Sequence, residues 1–174
     1  MNSIFLQRLY RLLLLVLLQV LVCNHIHLLG YVTPLAIGYM VVCFHRNTSR
    51  STALMWGFVI GFISDMFSNT AGMAAAGCTL MALIQPVLLN MMSPRDSADD
   101  LTPSFSTLGF WNYTFYVLLL MLVLHAVFYL LDAFTLVNWQ LTLLSIAGGT
   151  LLATLITIFI EMLVRARKNT AHHL

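Results

Sequence analysis

The run Trp56-Gly57-Phe58-Val59-Ile60-Gly61-Phe62-Ile63-Ser64-Asp65, followed by Asn69-Thr70-Ala71-Gly72-Met73-Ala74-Ala75-Ala76-Gly77, decides how this chain must fold. Both pieces are apolar or small nearly throughout, with an outer loop expected near Ser68 to Ala71. Gly57 and Gly61 lie four apart and share one helical face, as do Gly72 and Ala76. In lipid, small residues at that spacing let helix backbones approach where Leu would hold them apart. A tightly packed helical hairpin is expected, its glycine face meeting either the neighbouring helix or another protein. Asp65 follows Gly61 by about one turn on nearly the same face. A charge costs roughly 2.5 to 3.5 kcal/mol at the bilayer centre and less toward the interface, so Asp65 should face protein or water.

Outward from the hairpin the same apolar character continues. Six stretches read as transmembrane helices, at about 9–29, 32–44, 53–67, 72–92, 111–131 and 139–164. A hydrocarbon core of about 30 Å needs about 20 helical residues, so the second and third are short. The chain is 60% hydrophobic and 8% charged, with a mean hydropathy of +0.91. That composition departs from globular usage toward an all-α integral membrane protein with one transmembrane domain. All eight Lys and Arg residues fall on one side of the six-span topology: Arg8, Arg11, Arg46, Arg50, Arg95, Arg165, Arg167 and Lys168. Basic residues in short loops orient membrane proteins, so both termini are expected in the cytoplasm. The net charge of +2 therefore speaks of anionic headgroups and not of nucleic acid.

The loop at 93–108, with Pro94, Asp96, Asp99, Asp100 and Pro103, reads as a mobile cytoplasmic connector. No loop is long enough for a soluble domain. Arg8 and Arg11 before a leucine-rich run resemble a signal peptide. Leu21 and Val22 before Cys23 suit neither signal peptidase nor a lipobox, so the first span is expected to stay attached. Phe110, Trp111, Tyr113 and Tyr116, and beyond them Tyr129, Phe134 and Trp139, read as interfacial aromatic belts.

The polar residues offer few candidate sites. His125, Tyr129 and Asp132 line one face, and with Asp65 they could form a polar network at the outer side. Two aspartates invite an intramembrane aspartic protease, in which two carboxylates share a proton. The motifs argue against it: Asp132 lacks a preceding Tyr, no Gly-x-Gly-Asp leads to Asp65, and no Asn-x-Gly surrounds Asn69. No catalytic residue, metal or cofactor is expected. Cys23, His25 and His27 read as coincidence, and Cys23, Cys43 and Cys78 as packing residues. Thr150, Thr154, Thr157 and Glu161 stripe the last span beside Gly149 and Ala153, with Glu161 placed to pair with Arg165 one turn on. Gln85-Pro86 is expected to kink the fourth span.

The Gly57-x-x-x-Gly61-x-x-x-Asp65 span, with Gly72 seven residues later and an alanine-rich start to the next helix, resembles the MreD family of rod shape-determining membrane proteins. Length and topology extend the resemblance over nearly the whole chain, but its specific part is Gly57 to about Leu89. It implies a non-enzymatic inner-membrane scaffold of the bacterial elongation machinery, supporting cell shape and peptidoglycan synthesis. Its implied partners are an MreC-like periplasmic scaffold, the MreB filament and a peptidoglycan polymerase and transpeptidase pair. MreD-like proteins are in turn similar to the substrate-binding S components of vitamin transporters, which gives the alternative reading, a transporter component with an S-component-like bundle. Against it, Leu12 to Leu18 is six leucines and a valine, not the small-residue surface those components present on their first span.

Overall fold

The computed structural model describes residues 34–70, 72–94, 101–133 and 139–171, with side chains to residue 165. The first expected span, the loop that follows it, Arg8, Arg11, Cys23, His25, His27, Arg95 and the side chains of Arg167 and Lys168 lie outside the described residues. Every regular element described is helical. A 3-10 turn at Ala36–Gly38 leads into the short α1 at Tyr39–Val42. Four long helices follow: α2 at Arg50–Ser68, α3 at Met73–Met92, α5 at Phe110–Asp132 and α6 at Trp139–Ala171. A single turn, α4, at Phe105–Leu108, precedes α5.

The boundaries have local causes. Ser49 caps α2 by accepting from the Thr52 N–H at 3.4 Å. Its far end stops at Asn69, with φ of 54°, and α3 starts from Gly72, with φ of 80°. Asn and Gly are the residues that enter left-handed backbone at least cost, so two such positions in four residues reverse the chain. Each long helix runs antiparallel to the next. Gly61 of α2 meets Ala74 and Ala75 of α3, Gly77 of α3 meets Leu124 of α5, and Gly149 of α6 meets His125 of α5. One end of the bundle thus gathers residues 43–50, 90–94, 101–110 and 161–171. It carries Arg46, Arg50 and Arg165 and is called the basic end below.

Side chains are distributed in the reverse of a soluble protein. Met55, Phe58, Phe62, Leu83, Val87, Leu122, Leu151, Leu155 and Phe159 point outward, while Ser64, Asp65, Gln85, His125, Thr150, Thr154, Thr157 and Glu161 are buried. Water would penalise that arrangement and lipid favours it. All four long helices are long and apolar enough to cross a membrane. The chain is an all-α membrane protein with four membrane-length helices among the described residues.

Residues 34–44, the described part of the expected second span at 32–44, do not form a membrane-length helix. The turn and α1 together cover about 12 Å, against about 30 Å of hydrocarbon. Every residue from Pro34 to Val42 is buried. The segment packs against α2, α3 and α6, and Gly38 against Met121 and Leu124 of α5. Its apolar side chains serve the protein interior and not lipid, a distinction that composition does not make.

Two other expectations change. Trp111 is 80% exposed, and Phe110 and Trp139 also face outward, as interfacial anchors do. Tyr113, Tyr116 and Tyr129 are buried, because they fall on the face of α5 that meets its neighbours. In the 93–108 loop, residues 101–108 dock. Leu101, Phe105 and Leu108 are buried, Ser104 and Thr107 form a capping box, and the Phe105 ring lies 4.6 Å from that of Tyr113. The Leu101 carbonyl accepts from the Arg46 N–H at 3.0 Å. Apolar residues four apart in a short turn give it a face to bury, which its flanking prolines and acids obscure.

Candidate functional site

The glycine face of α2 is occupied by α3. A Cβ on Gly57 would sit 2.8 Å from the Ala82 Cβ and 2.9 Å from the Cys78 carbonyl oxygen, and one on Gly61 would overlap the Ala74 carbonyl and the Ala75 Cα. The complementary face on α3 is therefore Ala74, Ala75, Cys78 and Ala82. Ala76 is exposed, and Gly72 has open space around it and serves the turn through its positive φ.

Asp65, 5% exposed, closes this hairpin. Its Oδ1 accepts from the Thr70 hydroxyl and from the Ala74 N–H at 3.0 Å, and its Oδ2 accepts from the Ala75 N–H at 2.8 Å. The first N–H groups of a helix lack intrahelical acceptors, and a carboxylate there meets both their hydrogen-bonding need and the helix dipole. Asp65 is thus a cap for α3 supplied by the preceding helix.

His125 forms a second polar centre. Its Nδ1 lies 2.8 Å from the Met121 carbonyl, and its Nε2 accepts from the Leu35 N–H at 3.3 Å. A carbonyl only accepts and an amide N–H only donates, so this pair of contacts requires the neutral ring with its proton on Nδ1. The His125 and Tyr129 rings stack 6.2 Å apart, and Gly149 leaves room for them, since a Cβ there would meet His125 Cδ2 at 2.5 Å. Asp132 is exposed at the end of α5. No hydrogen bond joins Asp65, His125 and Asp132 among the described residues, and both oxygens of Asp65 are engaged within its own hairpin.

The third centre lies toward the basic end. The Gln85 amide donates to the Phe44 carbonyl at 3.1 Å and to the Tyr116 hydroxyl at 3.0 Å, and Tyr116 donates to the Val42 carbonyl at 3.1 Å. These bonds satisfy backbone at the end of the buried segment, which lipid would leave bare. Glu161 turns inward and its Oε2 accepts from the Tyr39 hydroxyl at 2.8 Å. No ion pair with Arg165, which is exposed, forms among the described residues. Among the described residues Tyr113, Thr150 and Thr157, like Ser64 and Ser93 elsewhere, bury hydroxyls with no partner. Arg46 donates to the Asn90 side chain at 2.8 Å, and the Thr102 hydroxyl lies 2.9 Å from His45 Nδ1.

Sequence reading gave Gln85 a kink and Glu161 a surface ion pair, and it missed Tyr39, Tyr113 and Tyr116 as interior groups. The available signal was the coincidence of Gln85, two tyrosines and Glu161 at matching depths on antiparallel helices. Among the described residues no group of three His, Cys, Asp or Glu side chains could hold a metal. No family model matches the chain, and neither does any curated protein or solved structure.

Proposed function

We propose that the chain is a non-enzymatic multi-pass adaptor of a bacterial inner membrane, with both termini cytoplasmic. In this reading it supports cell shape and peptidoglycan synthesis by holding an MreC-like periplasmic scaffold and, through it, an MreB filament and a polymerase and transpeptidase pair. The observation that carries the proposal is the use made of Asp65. The most distinctive acid of the chain spends both oxygens on its own hairpin, so the Gly57-x-x-x-Gly61-x-x-x-Asp65 pattern builds a rigid platform and leaves no free carboxylate for chemistry. The described Arg46, Arg50 and Arg165 at one end of the bundle support the assigned orientation. Co-purification of the full chain from native membranes tests the reading. Recovery of a periplasmic scaffold protein is expected, and its absence from a well-folded, detergent-stable preparation would refute the role.

The alternative, a substrate-binding component of a vitamin-type transporter, gains support from one feature: a short broken segment buried among helices next to unpartnered hydroxyls. A bound vitamin should raise the thermal midpoint of the purified protein. Indifference to a vitamin panel, alongside scaffold capture, would set it aside.

A further inference from the structure

Glu161 is 8% exposed and sits one turn inside Arg165 on α6. Among the described residues it accepts one hydrogen bond, from Tyr39. Thr157 lies one turn earlier on the same helix face and Tyr113 within electrostatic reach on α5. Both are 0% exposed, and both bury a hydroxyl with no partner among the described residues. The titratable groups facing this cluster are Tyr39 and Cys43 from the buried segment, and Tyr113 and Tyr116 from α5. None is cationic. α3 carries no charged residue and contributes the neutral Gln85. Arg46 is directed to Asn90, and Arg50 and Arg165 are exposed.

Two deficits therefore coincide. A carboxylate at the edge of the hydrocarbon has no described cation beside it, and two hydroxyl oxygens have no described donor. A small positive ion removes both at once, drawing charge from the carboxylate and lone pairs from the hydroxyls. The donor set is all oxygen, which favours a proton or an alkali ion over the softer metals that seek nitrogen and sulfur. The Phe105 ring packs against that of Tyr113.

We infer that Glu161, with Tyr39, Thr157 and Tyr113, forms an occluded site for a single small monovalent cation, either a sodium ion or a proton held as the carboxylic acid. The inference is independent of the adaptor reading. Tyr39 ties the buried segment to α6 through Glu161, so occupancy also sets how firmly that segment is held.

The test uses the full-length protein in detergent or nanodiscs, with NaCl replaced by choline chloride at constant ionic strength, and infrared detection of the protonated carboxyl band. If the ion is sodium, the thermal midpoint rises by about 3 °C for each tenfold excess over the dissociation constant. The rise is lost in Glu161→Gln and diminished in Thr157→Val and Tyr113→Phe. If the ion is a proton, the midpoint ignores sodium, and a carboxylic-acid band at neutral pH disappears in Glu161→Gln. Should Glu161→Gln fail to fold, the two hydroxyl variants carry the test, since each removes an unpartnered group. One or the other must then weaken the sodium response or move the pH at which the carboxyl band titrates. A midpoint indifferent to sodium together with no acid band at neutral pH overturns the proposal.

Discussion

The α2–α3 hairpin and the basic end of the α5–α6 pair treat their buried carboxylates in opposite ways. In the hairpin, Asp65 gathers three donors and the glycines bring two backbones into contact, although the Ser64 hydroxyl is buried with no partner among the described residues. Around α5 and α6, Glu161 has one described donor, and the hydroxyls of Tyr113, Thr150 and Thr157 have none among the described residues, although Thr154 bonds back to the Thr150 carbonyl at 2.7 Å. Backbone contact in the hairpin accompanies a carboxylate with three donors, whereas the basic end buries a carboxylate with a single described donor.

Substitutions can break or sharpen this contrast. The largest effect is expected at Gly61→Leu, where the side chain meets the α3 backbone and not a flexible terminus. A cost above about 4 kcal/mol should abolish monodisperse protein on size exclusion. Asp65→Ala removes three bonds to a buried carboxylate and should cost about 3 kcal/mol in unfolding experiments in detergent. Asp65→Asn, which keeps one acceptor oxygen, should recover part of that. An Asp65→Ala protein as stable as wild type would show that the hairpin does not depend on its cap. Gly149→Ala should cost about 2 kcal/mol, since the new methyl meets a His125 ring held on both nitrogens. Tyr116→Phe deletes two bonds, the one donated to the Val42 carbonyl and the one accepted from Gln85, and should cost about 1 kcal/mol, near the usual range for interhelical hydrogen bonds in membranes. In sodium-free buffer Tyr113→Phe should cost less than about 0.5 kcal/mol, because its hydroxyl has no partner to lose among the described residues. A large loss there would erase the distinction between the two regions.

Much of this was legible in the sequence. The third to sixth expected spans agree with α2, α3, α5 and α6 to within a few residues, because long apolar runs have few ways to exist. The pairing of Gly57 with Gly61 was legible for the same reason. The buried segment was not, since thirteen apolar residues look alike whether lipid or protein surrounds them, and only contacts made by His125, Gln85 and Tyr116, about 40 to 90 residues away, decide the matter. Asp65 was readable as a group that must face protein. Its service to the next helix depends on the left-handed pair at Asn69 and Gly72, which brings residues nine and ten positions later back to it. Ala76 was assigned to the packing face by its spacing from Gly72. The turn ends at Gly72, so the face that meets α2 begins two residues later.

The buried segment also constrains how the protein is made. Residues 34–44 emerge from the ribosome before Gln85, Tyr116 and His125, the groups that satisfy their backbone. A segment of that length has no stable place in lipid on its own. The final hydrogen bonds described for this early segment therefore wait on helices that are made after it.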